Sequence, residues 1–250
     1  MPERNQSSPT VRQTIREWWA NNVSRYGFWP TFRMFVSEIC YFVRDSTPAR
    51  QRQRYGDIDY DWEHRVDTTS ATVSFRDRLI GTFHSLYQAT EAASFCEMMN
   101  ALPITFNEFT FIDLGSGKGR TLLMASDYPF QSILGVELLP ELHRVAEENL
   151  LKYHSDSQKC FSLASVCANA RDFVFPLVPL VVYLFNPFPE SMLQQVLRNL
   201  ESSLLETPRN AYVIYYNPLL EAVLAEINLL RKVGGGTHYV IYAYAPQLTS

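Results

Sequence analysis

Residues 110–120, Thr-Phe-Ile-Asp-Leu-Gly-Ser-Gly-Lys-Gly-Arg, constrain the fold more than any other part of the chain. A short apolar run ends in an acid, Asp113, and passes into glycines at alternate positions, Gly115, Gly117 and Gly119. A helical pattern follows. This order specifies a strand that turns tightly into a helix and carries no side chains where a ligand must come close to the backbone. A second apolar run, residues 133–136, closes on Glu137. Together the two runs predict a nucleoside-type site on an α/β sheet.

Two familiar glycine-loop patterns fail here. For the dinucleotide pattern G-x-G-x-x-G, counting from Gly115 puts Arg120 where the third glycine should be. For the phosphate-cradling G-x-x-x-x-G-K-[ST], Ile112 stands at the first glycine, and Lys118 is followed by Gly119 rather than Ser or Thr. What fits is Asp-x-Gly-x-Gly-x-Gly. With Glu137 in register behind it, the stretch resembles the first motif of the class I S-adenosylmethionine-dependent methyltransferases, in particular their small bacterial members. The resemblance runs from about residue 85 to the C-terminus.

The resemblance implies an α/β fold: a doubly wound, mainly parallel seven-strand sheet with helices on both faces, here preceded by a helical N-terminal extension. It implies S-adenosyl-L-methionine as cofactor. Asp113 would help hold the methionine portion, and Gly115, Ser116, Gly117 and Gly119 would let the loop backbone approach it. Glu137, followed by Leu138, would accept from the ribose hydroxyls. Asn169 and Ala170 fall where the family usually places an acid and a small residue against the adenine amino group. Asn169 can still accept without charge, and Asp172 is the alternative partner. Tyr87 and Thr90 lie in the approach segment that closes over the methionine end in related proteins.

For the acceptor, strand four ends in Phe185-Asn186-Pro187-Phe188-Pro189. The family's amine methylators often carry Asn/Asp-Pro-Pro-aromatic at this point, holding the target nitrogen while a ring stacks on it. With one proline before its ring, this chain departs from the nucleobase pattern. Asn186, Pro187 and Phe188 are the candidate catalytic residues, and Phe185, Phe188, Tyr215 and Tyr216 would form an apolar lining. A lysine or small-molecule amine is the favoured acceptor. O-methylation with His84 as base, and a catalytically silent binding or scaffold protein, are the alternatives.

At 250 residues, 46% of them hydrophobic, the chain can bury a large core. Its net charge of −4 gives no global field toward nucleic acid, which favours a protein or small-molecule acceptor. Cys40, Cys96, Cys160 and Cys167 form no metal-type spacing. No run approaches the roughly 18 apolar residues of a membrane span, and the first residues lack a leader's apolar core. The expectation is a soluble cytoplasmic protein.

The spacing predicts a division into an aromatic, basic, largely helical extension over 1–66 and the cofactor domain over 67–250. Phe32, Phe35, Val36, Ile39, Phe42 and Val43 recur at helical spacing among Arg12, Arg16, Arg25, Arg33 and Arg44. The plain reading is a buried amphipathic helix; contact with a membrane surface or an anionic partner is the alternative. Residues 44–66 show no periodicity and read as a solvated loop. Asp57, Asp59 and Asp61 begin like a calcium loop, but Trp62 and Thr68 occupy its glycine and glutamate positions. Beyond, strands are expected at 110–114, 132–137, 160–165, 177–185, 211–216 and 239–244, with a faint one near 230–233. Helices are expected at 87–102, 119–126, 140–153, 190–205 and 219–231.

Overall fold

The structure, a computed structural model, describes residues 11–45, 58–69, 89–186 and 188–246. It divides into two compact units: the described residues of Met1–Asp59 and Thr69–Gln88 form one, and those of Tyr60–Thr68 and Ala89–Ser250 form the other. In the smaller unit, helices α1 (Val11–Tyr26) and α2 (Phe28–Asp45) meet at Gly27, whose φ of 80° ends the first helix. Phe32 and Val36, expected to be buried, are exposed, and Phe35 faces Trp18 and Trp19 across the hairpin.

The larger unit is built on a sheet with strands β1 (Thr110–Leu114), β2 (Ser132–Glu137), β3 (Leu163–Cys167), β4 (Leu180–Phe185), β5 (Ala211–Tyr216), β6 (Arg231–Gly235) and β7 (Tyr239–Tyr244). Their order is β3-β2-β1-β4-β5-β7-β6. The first five run parallel, whereas β7 pairs antiparallel with both β5 and β6, so the sheet is mixed. The chain winds outward from β1 through β2 to β3, then returns to β1's other side at β4. The carboxyl ends of β1 and β4 are therefore the switch point, where such sheets leave a crevice.

Alternation along the strands sorts the core into two faces. Ile112, Leu114, Val182, Leu184 and Val213 face α7 (Glu190–Glu206) and α8 (Glu221–Ala225). Phe111, Ile133, Val181, Tyr183 and Ile214 face α4 (Ala92–Asn100) and α5 (Arg120–Ala125), with α6 (Pro140–Lys152) covering the same side through Leu150. The run Leu180-Val-Val-Tyr-Leu184 is buried throughout, as a central strand covered on both faces must be.

Four strands coincide with the sequence reading; the others shift for local reasons. Strand β3 starts at Leu163 because the amides of Lys159 and Cys160 bond instead to the Ser126 carbonyl, at 2.7 and 2.9 Å. Strand β4 starts after Pro179, which has no amide to give to a ladder. The long helix expected over 219–231 is only Glu221–Ala225, since Arg231 already belongs to the edge strand β6. Residues 58–64, read as loop, form helix α3 (Ile58–His64).

One glycine fixes how the β1–α5 turn seats on β2. A Cβ on Gly135 would stand 2.6 Å from Ser116 Oγ and 2.7 Å from Leu122 Cδ1. Gly135→Ala is expected to lower stability by about 1–3 kcal/mol through overpacking, measured by urea denaturation. An unchanged midpoint would mean that the turn moves away at little cost.

Candidate functional site

Gly115, Gly117 and Gly119 have φ of 89°, 54° and 81°, three left-handed residues in five positions, which only glycine adopts freely. The resulting turn is clamped to β2. The Val136 carbonyl accepts from the amides of Gly115 (2.8 Å) and Ser116 (3.2 Å). The Glu137 carboxylate accepts from the Gly117 amide at 2.8 Å and, through its other oxygen, from the Leu139 amide at 2.8 Å. Glu137 is buried rather than solvent-facing. Burial pushes its pKa up, while amides of Leu139, Gly117 and Leu138 pull it back down. With those amides in place the carboxylate retains acceptor capacity for a further donor.

Asp113 lies one strand over, fully buried at the end of β1, and accepts a hydrogen bond from the Thr121 hydroxyl of α5. Burial is the main cause that pushes its pKa up to about 7; the Thr121 bond opposes this and the nearby Glu137 charge adds to it. Ser116 Oγ is buried with no hydrogen-bond partner among the described residues. Asn169 is half-buried just past β3. Its side-chain oxygen accepts from the Arg171 amide at 3.1 Å, capping the 3-10 turn Ala170–Asp172. Asp172 is exposed. Thr90 is buried, its hydroxyl 2.8 Å from the Tyr183 hydroxyl. Tyr87, His84 and Pro187 lie outside the described residues.

At the end of β4, Asn186 takes a left-handed φ of 42°, which asparagine tolerates better than most residues. Both ends of its amide are engaged: Nδ2 donates to the Asn217 carbonyl at 2.6 Å, and Oδ1 accepts from the Tyr215 hydroxyl at 2.7 Å. Burial holds the Tyr215 hydroxyl up at about 12, so it remains a donor. The four rings expected to line one pocket do not share a face. Phe185 and Tyr216 are register partners, packed edge-on at 4.7 Å on the α4/α5 side, whereas Tyr215 and Phe188 pack with the α7/α8 core. Strand alternation forces this split.

The sequence reading missed the two cations of the glycine turn. Lys118 and Arg120 have side chains only 1% and 2% exposed, and both are answered by the Tyr60–Thr68 segment. Lys118 Nζ donates to Asp67 at 2.8 Å. Arg120 lies over the Tyr60 ring at 4.3 Å, donates to Thr68 Oγ1 and the Thr90 carbonyl at 3.0 Å each, and stands 3.7 Å from Asp61. Asn149 of α6 completes the clasp, bonding the Asp67 amide (2.9 Å) and the carbonyls of Asp67 (2.8 Å) and Lys118 (2.9 Å). The available signal was a cluster of acids, Asp57, Asp59, Asp61 and Asp67, some fifty residues upstream of a loop holding two cations. Asp61, which opens like a metal ligand in sequence, is instead the partner of Thr68 and Arg120.

No protein-family model and no curated protein matches the chain. Solved structures similar to it include a ribosomal protein L11 methylase from Lactobacillus delbrueckii subsp. bulgaricus, 20% identical over 62% of this chain and 75% of its own, with a TM-score of 0.40. Another is precorrin-6y C5,15-methyltransferase from Geobacter metallireducens GS-15 (16% identity, 63% and 90% covered, TM-score 0.47). A third is a dimethyladenosine transferase from Plasmodium falciparum (13%, 64% and 64%, 0.46). Its strand order and the glycine turn after β1 give the larger unit a mixed, seven-strand, Rossmann-like fold.

Two outcomes follow from these contacts. Asp113 binds a proton more tightly folded (about 7) than unfolded (3.8), so its contribution to stability is full below about pH 4 and is lost as pH rises to about 7. Asp113→Asn is expected to flatten that part of the profile of melting temperature against pH; a profile of unchanged slope would contradict the burial argument. Asp61→Asn is expected to cost about 1–3 kcal/mol in urea unfolding, because it removes charge from beside a buried guanidinium. Asp67→Asn should cost less, about 0–1 kcal/mol, because Asp67 is 43% exposed.

Proposed function

We propose that the protein is an S-adenosylmethionine-dependent methyltransferase acting on a nitrogen acceptor, a protein lysine or a small-molecule amine. The observation that carries this reading is the placement of Asp113, Glu137 and Asn169 at the carboxyl ends of adjacent parallel strands, around a glycine turn whose Gly117 amide already rests on Glu137. The residues present suit the group. Two buried carboxylates match a cationic ammonium and a vicinal diol, and the open turn leaves the backbone accessible. When bound, S-adenosylmethionine supplies an electrophilic methyl on sulfur.

In this reading Asp113 takes the ammonium, Glu137 accepts the ribose hydroxyls, and Ser116 and Leu138 flank the nucleoside. Asn169, with Ala170 behind it, offers the adenine amino group its second lone pair. Thr90 approaches the methionine end. Because Asp113 is partly protonated near neutrality, an arriving ammonium should drive a proton off it. At the acceptor end, Asn186 is locked by Tyr215 and Asn217, leaving one N–H and one lone pair for the incoming amine, and Phe188 follows it in the chain. Such a reaction asks mainly for alignment, and positioning of this kind can supply on the order of 7–11 kcal/mol. A lysine acceptor must also be stripped of water to become neutral.

Titration calorimetry with S-adenosylmethionine is the first test. Binding is expected, with proton release below about pH 7 that shows as a dependence of the heat on buffer ionisation. Gly117→Val should abolish binding while the far-ultraviolet circular dichroism stays native. Asn186→Ala should keep cofactor affinity and lower turnover on an amine substrate by about a hundredfold or more. Absence of binding at millimolar cofactor would leave the scaffold reading in its place.

A further inference from the structure

The smaller unit presents a feature that the cofactor site does not use. At the Gly27 corner, Tyr26, Phe28, Trp29 and Phe32 are 46%, 55%, 72% and 43% exposed. Their rings tile one another: Phe28 against Trp29 at 5.6 Å, Trp29 against Phe32 at 6.3 Å, and Phe28 stacked on Phe32 at 6.4 Å. Val36 carries the exposed apolar stripe further along α2. The inner seam, Trp19 on Phe28 and Phe35, holds the corner in shape from behind. Arg12, Arg16, Arg25 and Arg33 are all exposed on the same hairpin, and over residues 11–45 the sequence holds five arginines against Glu17, Glu38 and Asp45. This cationic hairpin stands on a chain whose net charge is −4.

We propose that the aromatic corner is an interfacial anchor that seats the protein on an anionic lipid bilayer surface. Indole and phenyl rings at a helix end, bordered by arginine, match the headgroup boundary: the rings enter the acyl edge while the guanidinium groups stay with the phosphates. Arg25 adjoins the corner in sequence, and Arg33 follows Trp29 by four residues, on the same face of α2. Charge decides against a second copy of the chain as occupant, because a symmetric contact through the corner would set Arg25 and Arg33 against their own equivalents. It fits a single-stranded nucleic acid less well, because the rings cover one another instead of standing apart as stacking platforms, and Val36 offers bases nothing to stack on. No described helix is long and apolar enough to cross a membrane, so the contact is with the surface. The inference does not depend on the chemistry proposed for the sheet.

The test is sedimentation of the full chain with vesicles of phosphatidylcholine containing about one quarter phosphatidylglycerol, beside pure phosphatidylcholine and lipid-free controls. The wild type is expected to pellet with the anionic vesicles only, and high salt should weaken it. Arg25→Gln with Arg33→Gln should lower partitioning about 30-fold, and Trp29→Ser with Phe32→Ser by at least about 10-fold, with circular dichroism unchanged. The paired arginine variant leaves every ring in place, so it remains informative even if the aromatic variant misfolds. Wild-type protein that ignores anionic vesicles would overturn the proposal, as would arginine variants that bind them equally. A concentration-dependent dimer lost in Trp29→Ser, or binding to polyuridine in place of lipid, would assign the corner to a second copy or to nucleic acid.

Discussion

The Glu137 carboxylate is the hinge on which the larger unit's architecture turns. It closes β2, receives the Gly117 amide from the turn after β1, and receives the Leu139 amide that leads into α6. Two strand-to-helix transitions thus share one buried anion. Buried charge is tolerable only when satisfied, and here backbone donors satisfy it. The glycines make that possible, since a left-handed turn is what brings the Gly117 amide round to face the second strand.

Much of the fold was legible because its signals are local. Strands β1, β2, β5 and β7 are short apolar runs bounded by acids, glycines or turns, and their limits follow from residue type alone. Elements set by distant partners were harder to read. Strand β3 begins late because a carbonyl in another loop takes its amides, and the end of the expected helix after 219 is given over to an edge strand that pairs only with β7. Asp113, Glu137 and Asn169 stand at the ends of adjacent strands because strand order places them there. The aromatic acceptor lining was misread because composition does not carry parity: Tyr215 and Tyr216 are neighbours in sequence and face opposite sides of the sheet.

The cations in the glycine turn show a different limit. Arg120 reads in sequence only as a failure of the dinucleotide pattern, and Lys118 as part of a failed phosphate loop. Their significance rests on Asp61, Thr68 and Asp67, more than fifty residues upstream, in a segment without periodicity. Polar clasps of this kind leave no periodic trace, because hydrogen-bond geometry does not repeat along the chain.

That clasp also sets where the functional body of the protein begins. A chain trimmed to start at residue 69, just short of the motif-bearing region, would keep every strand and every glycine of the turn. It would nonetheless lose the carboxylates of Asp61 and Asp67 and the ring of Tyr60, the groups that cover and pair Lys118 and Arg120. The Asp61 contact alone is worth about 1–3 kcal/mol, to be set against the 5–15 kcal/mol that typically holds a domain folded. The smallest independently folding piece is therefore longer than its sheet, and its N-terminal limit is written in electrostatics rather than in secondary structure.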